Sequence, residues 1–136
     1  MAGRPLHPQH VVYDGPDGIA FLSIFQPLLG YTIVAPREHR EQVTGDFTVD
    51  SLRAATSRVP GRGGRPPGGA AERLYVLSLG SQSGNRHVHW HLAPLPSGVP
   101  YEEHQVEALR LERGVLDLSE QELAALAASI RTQLEP

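Results

Sequence analysis

The alternating segment at residues 86–96, RHVHWHLAPLP, restricts the fold of this chain more than any other feature. Histidine stands at every second position, with apolar residues between. Successive side chains of a β-strand point to opposite faces, so this period of two predicts a strand with one histidine face and one apolar face. Same-face neighbours on a strand lie about 6.6–6.8 Å apart. The segment therefore predicts a row of three imidazoles, His87, His89 and His91, held by a core-facing row of Val88, Trp90 and Leu92.

Four further segments have the composition of β-strands. They are residues 10–14, 19–25, 31–36 and 73–80. The second and third are joined by a short Pro/Gly connection, which is typical of an antiparallel hairpin. Apolar periodicity predicts helices at 48–58, 102–114 and 119–135. The length of 136 residues fits one domain, and this order of elements favours an α+β domain with an antiparallel sheet.

The last predicted helix carries the clearest end signals. Ser119 and Glu122 have the spacing of a capping box, and Leu118 and Leu123 fit a hydrophobic staple. The preceding helix is expected to end at Gly114 as a left-handed C′ residue. The apolar face of the last helix comprises Leu123, Leu126, Ala127, Ile130 and Leu134.

Two other segments have the composition of irregular structure. Residues 1–10 are polar and punctuated by proline, which predicts a loose N-terminal arm. Residues 60–70 are so rich in glycine and proline that neither a helix nor a central strand is expected there. This second segment is interpreted as a flexible loop.

Composition excludes several classes of function. The net charge of −3 gives no basic face for nucleic acid. No apolar run approaches the roughly 18 residues of a membrane span, and the first ten residues lack the apolar core of a secretory signal. The absence of cysteine excludes disulfides and thiolate metal sites. These features predict a cytoplasmic protein with neither nucleic-acid nor membrane partners.

Three aligned histidines allow three interpretations. They can form a solvated surface, which is the ordinary fate of a single histidine. They can bind a metal, although a cupin-type site needs an acid soon after the histidines and the next acids are Glu102 and Glu103. They can act on phosphorus, because neutral imidazole is a good nucleophile and the polar turn at residues 81–85 can offer hydroxyl and N–H groups to phosphate oxygens.

The sequence His87-Val-His89-Trp-His91-Leu-Ala resembles the His-φ-His-φ-His-φ-φ signature of the histidine-triad (HIT) superfamily, where φ is apolar. Residues 19–39 resemble the earlier hairpin of that family, which ends in Pro-x-x-His, here Pro36 to His39. Residues 73–96 resemble its last two strands. The resemblance implies a HIT-like fold, with a nucleotide-binding domain over residues 1–100 and a C-terminal helical extension over 101–136 that packs on the same domain.

The resemblance also implies a reaction. Members hydrolyse or transfer nucleotides at the α-phosphate of substrates such as dinucleoside polyphosphates or nucleoside phosphoramidates. The middle histidine is the nucleophile, so His89 would form a covalent nucleotidyl intermediate, with one ring nitrogen held by a backbone carbonyl. His91 would bind the phosphate, and His87 and His39 would form a supporting pair. The implied nucleotide-binding residues are Ser23, Ile24, Ser78, Ser83, Gly84 and Asn85.

The same resemblance implies no cofactor and no catalytic metal, a small nucleotide as the partner, and a homodimer. The cysteine-based zinc site of some members is not expected. The chain departs from the family in having Ser23 where an acid commonly binds the ribose, and Ser78 where an amide is common. Two alternatives therefore stay open, a non-catalytic nucleotide-binding or scaffold protein and a histidine metal-binding protein.

Overall fold

The fold is built on a five-stranded antiparallel sheet in the part of the chain that the computed structural model describes, residues 6–50, 71–80 and 85–134. Its strands lie in the order β1-β2-β3-β5-β4, and every neighbouring pair is antiparallel. This confirms the predicted α+β class. The strands are β1 Val11–Asp14, β2 Gly18–Leu22, β3 Thr32–Pro36, β4 Ala71–Leu77 and β5 Trp90–Pro96.

The single long helix among these residues, α1 at Glu120–Leu134, covers one face of the sheet at the β1–β2 end. Its capping box forms as predicted, since the Glu122 N–H donates to Ser119 Oγ at 3.2 Å and the Ser119 N–H donates to Glu122 Oε2 at 2.8 Å. The main core joins α1 to alternate residues of four strands. Its buried members are Val12, Ala20, Leu22, Val34, Leu92, Leu123, Leu126, Ala127 and Ile130.

The predicted helix at 102–114 is wrong. The segment instead forms three short 3-10 helices, Tyr101–Glu103, Gln105–Leu109 and Leu111–Arg113. His104 and Arg110 between them are extended, and Gln105 has a φ of +56°. Val106 and Leu111 remain 65% and 62% exposed. Most helical stability in proteins comes from packing an apolar face, and this segment packs its apolar residues too little to support an α-helix.

The described part of the N-terminal arm, residues 6–10, is also more ordered than predicted. Residues Pro8–His10 form a 3-10 helix that leads directly into β1, and His10 is buried. This helix packs against α1, so the arm is tied to the core rather than loose. No helix in the described ranges is both long and apolar enough to cross a membrane.

The strand of alternating histidines is shorter than predicted, because β5 begins only at Trp90. Burial nevertheless alternates as predicted, with Val88 and Trp90 buried and the three histidines half-buried. Val88 and Trp90 form a second core cluster with Val43 and Phe47. Of the predicted helix at 48–58 only residues 48–50 are described, and the loop at 60–70 lies outside the described residues.

Candidate active site

The face of the sheet opposite α1 carries a row of side chains that crosses three strands. Phe21 of β2 lies opposite Ile33 of β3, and Ile33 lies opposite His91 of β5. Directly paired residues project to the same face, so these three side chains are neighbours. Each is half-buried, whereas Leu22 and Leu92, the next residues along their strands, are buried in the main core. The sheet therefore separates a packed face from a half-buried face that bears the histidine row.

The ring of His89 has a defined tautomer. Its Nδ1 lies 2.8 Å from the backbone oxygen of His87. A carbonyl oxygen can only accept, so Nδ1 is the protonated nitrogen in this contact. In the neutral ring Nε2 then keeps its lone pair. The geometry thus provides a held imidazole with one nitrogen available as a nucleophile or ligand.

His91 lies beside His89 and is held from the other side by Tyr31. The two imidazole centroids are 4.8 Å apart with the rings edge to face, and the Tyr31 hydroxyl is 2.8 Å from His91 Nδ1. Burial lowers the pKa of His91, and the charge of His89 lowers it further. Burial raises the pKa of Tyr31, so its hydroxyl keeps a proton to donate. When Tyr31 donates to Nδ1, the proton of His91 stands on Nε2.

His87 and His39 are in contact behind this pair. Their rings stack with centroids 5.2 Å apart, and their Nδ1 atoms are 3.3 Å apart. His87 Nε2 donates to the Pro36 backbone oxygen at 2.8 Å, while His39 Nε2 is 3.2 Å from Glu41 Oε1. A continuous chain of polar contacts therefore runs from an exposed carboxylate through two imidazoles to the end of β3.

Local packing explains why these two histidines meet. The Val88 N–H donates to the Arg40 backbone oxygen at 2.7 Å, which fastens the approach to β5 against the segment after β3. Trp90 contacts Phe47 edge to face, and the Arg40 guanidinium lies 4.6 Å from the centroid of the Phe47 ring. The apolar residues between the histidines thus fix where the histidines stand.

The connection between β2 and β3 is held by one buried amide. Gln26 is fully buried, and its Nε2 donates to the backbone oxygens of Ser23 and Tyr31 at 2.7 and 2.8 Å. Its Oε1 accepts from the N–H groups of Gly30 and Tyr31 at 2.8 and 3.0 Å. Gly30 has a φ of +90°, which an L-residue with a side chain rarely adopts. The four hydrogen bonds of Gln26 thus fix the position from which Tyr31 contacts His91.

Three solved structures have a fold similar to that of this chain. A Hit-like protein involved in cell-cycle regulation from Bartonella henselae is 20% identical, with a TM-score of 0.67 over 93% of this chain and 87% of its own. A zinc-bound histidine triad family protein from Mycobacterium smegmatis is 21% identical, with a TM-score of 0.65 over 94% and 87%. A hypothetical histidine triad nucleotide-binding protein from Sulfolobus tokodaii is also 21% identical, with a TM-score of 0.66 over 92% and 83%.

This chain has the histidine-triad fold. The likeness confirms the HIT-like fold that the resemblance implied. At the level of sequence, no family model matches the chain, and the search of curated proteins gives no match. The histidine-triad fold thus occurs here at 20–21% sequence identity to these three structures.

Within the histidine-triad fold, the predicted nucleotide-binding residues fall in different places. Ser23 and Ile24 line a cavity of about 550 Å³ together with Phe21 and Ile33 of the face that bears the histidine row. Ser78 lies instead behind the row, where its hydroxyl donates to the His89 backbone oxygen at 3.0 Å. Asn85 is exposed, and Ser83 and Gly84 lie outside the described residues.

Sequence reasoning missed two groups of residues at this site. Tyr31 was assigned only to a strand, because nothing in the sequence relates it to a histidine 60 positions away. His7, His10 and Glu120 line the same cavity from the N-terminal 3-10 helix and from α1. The spacing His-Pro-Gln-His was the available signal, since i and i+3 residues of a 3-10 helix stand above one another.

Proposed function

We propose that this protein is a nucleotide hydrolase or nucleotidyl transferase of the histidine-triad type. It would cleave at the α-phosphate of a dinucleoside polyphosphate or a nucleoside phosphoramidate. The observation that carries the proposal is the held tautomer of His89, whose Nδ1 donates to a backbone oxygen and whose Nε2 keeps its lone pair. A nucleophile on phosphorus needs this combination of fixed orientation and free electron pair.

The reaction has two displacements. Nε2 of His89 attacks the α-phosphorus, an N–P bond forms, and the bond from phosphorus to the leaving oxygen or nitrogen breaks. The leaving group takes up a proton from the solvent, and the proton that the acceptor loses in the second displacement returns to the solvent. Water or another acceptor then attacks the same phosphorus, the N–P bond breaks, and the acceptor releases its proton. The free histidine is restored, and every bond that forms is matched by one that breaks.

His91 would hold the phosphate during both displacements. With Tyr31 donating to Nδ1, His91 presents an N–H at Nε2 next to the nucleophile. A donor aimed at the phosphate oxygens stabilises the charge that develops on them. His87 and His39 act as a positioning pair, because the His87 backbone oxygen is the group that holds the ring of His89.

The cavity beside the row is proposed to take the nucleoside. Phe21, Ile24 and Ile33 give it an apolar lining of the kind that packs against a base. Ser23 supplies a hydroxyl, whose Oγ accepts from the Phe25 N–H at 3.2 Å, and this neutral group binds ribose hydroxyls less strongly than the acid that is common in the family. Recognition of the sugar is therefore expected to be weak, and specificity would come from the base and the phosphate chain.

Intact-protein mass spectrometry after brief mixing with substrate tests the proposal. Diadenosine polyphosphate and an adenosine phosphoramidate would be used separately, with wild type, His89→Ala and His104→Ala. His104 is a matched control, because its Nε2 donates to the Val99 oxygen outside the row. The expected result is a transient added mass of one AMP in wild type and His104→Ala that is absent in His89→Ala. Equal turnover in wild type and His89→Ala would reject the role of His89.

A second candidate is a nucleotide-binding protein without turnover. The observation that favours it is Ser23, which stands where the family commonly has a ribose-binding acid. In this case AMP would bind to wild type and to His89→Ala with equal affinity in calorimetry. No added mass and no product would form from either substrate.

A further inference from the structure

A cluster of metal-ligating side chains lies outside the histidine row. His7, His10 and Glu120 each offer one ligand atom, and these three atoms all lie within 4.8 Å of one another. Among the described residues, this is the single group of three or more histidine or acidic side chains with that geometry. We propose that His7, His10 and Glu120 bind a divalent ion of the zinc type. The proposal does not depend on the reaction assigned to His89.

The two histidines converge because of the local backbone. His7 is the N-cap of the 3-10 helix Pro8–His10, and proline at its first position fixes the backbone there. Residues i and i+3 of a 3-10 helix stand above one another. The two rings accordingly lie with centroids 5.1 Å apart. Two imidazoles on one short turn can bind the same metal ion.

The third ligand comes from the start of α1, 110 residues away in sequence. His10 Nε2 is 2.9 Å from Glu120 Oε2. Zinc–ligand bonds of about 2.0–2.1 Å in a tetrahedron place two ligand atoms about 3.3 Å apart. An ion can therefore replace the shared proton with a shift of only a few tenths of an ångström between these two groups.

The three ligands differ in burial. Buried His10 is fixed in position, whereas the exposed side chains of His7 and Glu120 can move. The His10 side chain is only 4% exposed, whereas that of Glu120 is 67% exposed, and His7 is also exposed. The His7 ring accepts a long 3.4 Å hydrogen bond from the Gln9 N–H at its Nδ1. It can thus close the remaining distance to the ion without disturbing the core.

The donor set selects the class of ion. Two imidazoles and one carboxylate suit zinc and similar transition metals, whereas calcium and magnesium prefer oxygen ligands alone. Three protein ligands leave a further coordination position open. All three residues line the 550 Å³ cavity, so water from the cavity can fill that position. The bound ion would join the N-terminal arm to α1 and stabilise the folded state by mass action.

Calorimetric titration with zinc chloride tests the site, using tag-free, chelator-treated full-length protein. The variants are His7→Ala and Glu120→Gln, both at exposed positions, with Glu112→Gln as an exposed acidic control. His89→Ala tests for binding at the histidine row. Circular dichroism verifies that each variant is folded.

The expected result is a site of one zinc per chain whose Kd weakens at least tenfold in both His7→Ala and Glu120→Gln. Glu112→Gln and His89→Ala should keep the affinity of wild type for that site. Zinc should also raise Tm by on the order of 5 °C in wild type and not in His7→Ala. Unchanged affinity in either His7→Ala or Glu120→Gln, loss of binding in His89→Ala, or no binding by wild type would overturn the proposal.

Discussion

At the scale of single residues, the histidine row is a set of coupled titrating groups. Burial is the main cause of the lowered pKa of His91, and the nearby charge of His89 adds to it. We predict that His89→Ala raises the pKa of His91 part of the way toward the ordinary value of about 6.5, because burial remains. NMR titration of the ring measures this directly. A His91 pKa that does not move would show that the two rings do not interact.

The same shift makes stability depend on pH. A histidine whose folded pKa is depressed is neutral in both states above about pH 6.5. As pH falls below that value, the unfolded chain binds a proton before the folded chain does, so the free energy of unfolding declines. We therefore expect the free energy of unfolding, measured with urea, to decrease less between pH 7 and pH 5.5 in His91→Gln than in wild type.

The direction of the Tyr31–His91 hydrogen bond determines the tautomer of that ring, and when Tyr31 donates to Nδ1 the ring proton stands on Nε2. Tyr31→Phe removes a hydrogen bond of about 1 kcal/mol, and under the proposed function turnover should fall about fivefold because the proton is no longer fixed at Nε2. The ¹⁵N shifts of the ring would show the mixed tautomers independently of substrate. Tyr101→Phe is the control, since Tyr101 is 87% exposed. Unchanged shifts in Tyr31→Phe would contradict the assignment.

How far these residues could be foreseen depends on where their partners lie in sequence. The shared face of His87, His89 and His91 follows from the period of two, which is local. The contact between Tyr31 and His91 follows from the register of β3 against β5, and no sequence pattern specifies that register. The contact between His10 and Glu120 likewise depends on where α1 packs on the sheet, which no sequence pattern specifies.

At the scale of elements, local signals predicted α1 but not the segment before it. The capping box and the apolar stripe of α1 agree, and the fold provides a surface for the stripe. The segment at 102–114 has a similar periodicity, but Val106 and Leu111 stay exposed. Periodicity thus indicates what a helix could bury, whereas tertiary structure decides whether a partner surface exists.

The β2–β3 connection is the element most sensitive to a single change. Gln26→Met keeps the volume of the side chain but removes its four hydrogen bonds, leaving the buried Gly30 N–H without its Gln26 partner. We expect a loss of about 2 kcal/mol in the free energy of unfolding. Urea unfolding measures this, with Gln121→Met on the exposed side of α1 as control. Equal stability of the two variants would remove Gln26 from its structural role.

At the scale of the whole molecule, α1 and the histidine row lie on opposite faces of one sheet. The helix covers β1 and β2, while β4 lies at the far edge of the described sheet. This division allows the histidine-triad fold to form from a sequence only 20–21% identical to the compared structures. The face against α1 requires only apolar residues of suitable size. The opposite face requires a few polar side chains at fixed positions along the strands.

The β4 edge of the described sheet is where we expect two copies of the chain to meet. Val76 on this strand is 52% exposed, and an edge strand offers backbone groups that can pair with another strand. We predict a homodimer in solution that Val76→Lys converts to a monomer, because pairing would bury the new charge. Light scattering coupled to size-exclusion chromatography gives the mass directly. Val106→Lys, at a residue 65% exposed in the 3-10 segment, should remain dimeric. A dimer that persists in Val76→Lys would place the contact elsewhere, and a monomeric wild type would exclude the dimer itself.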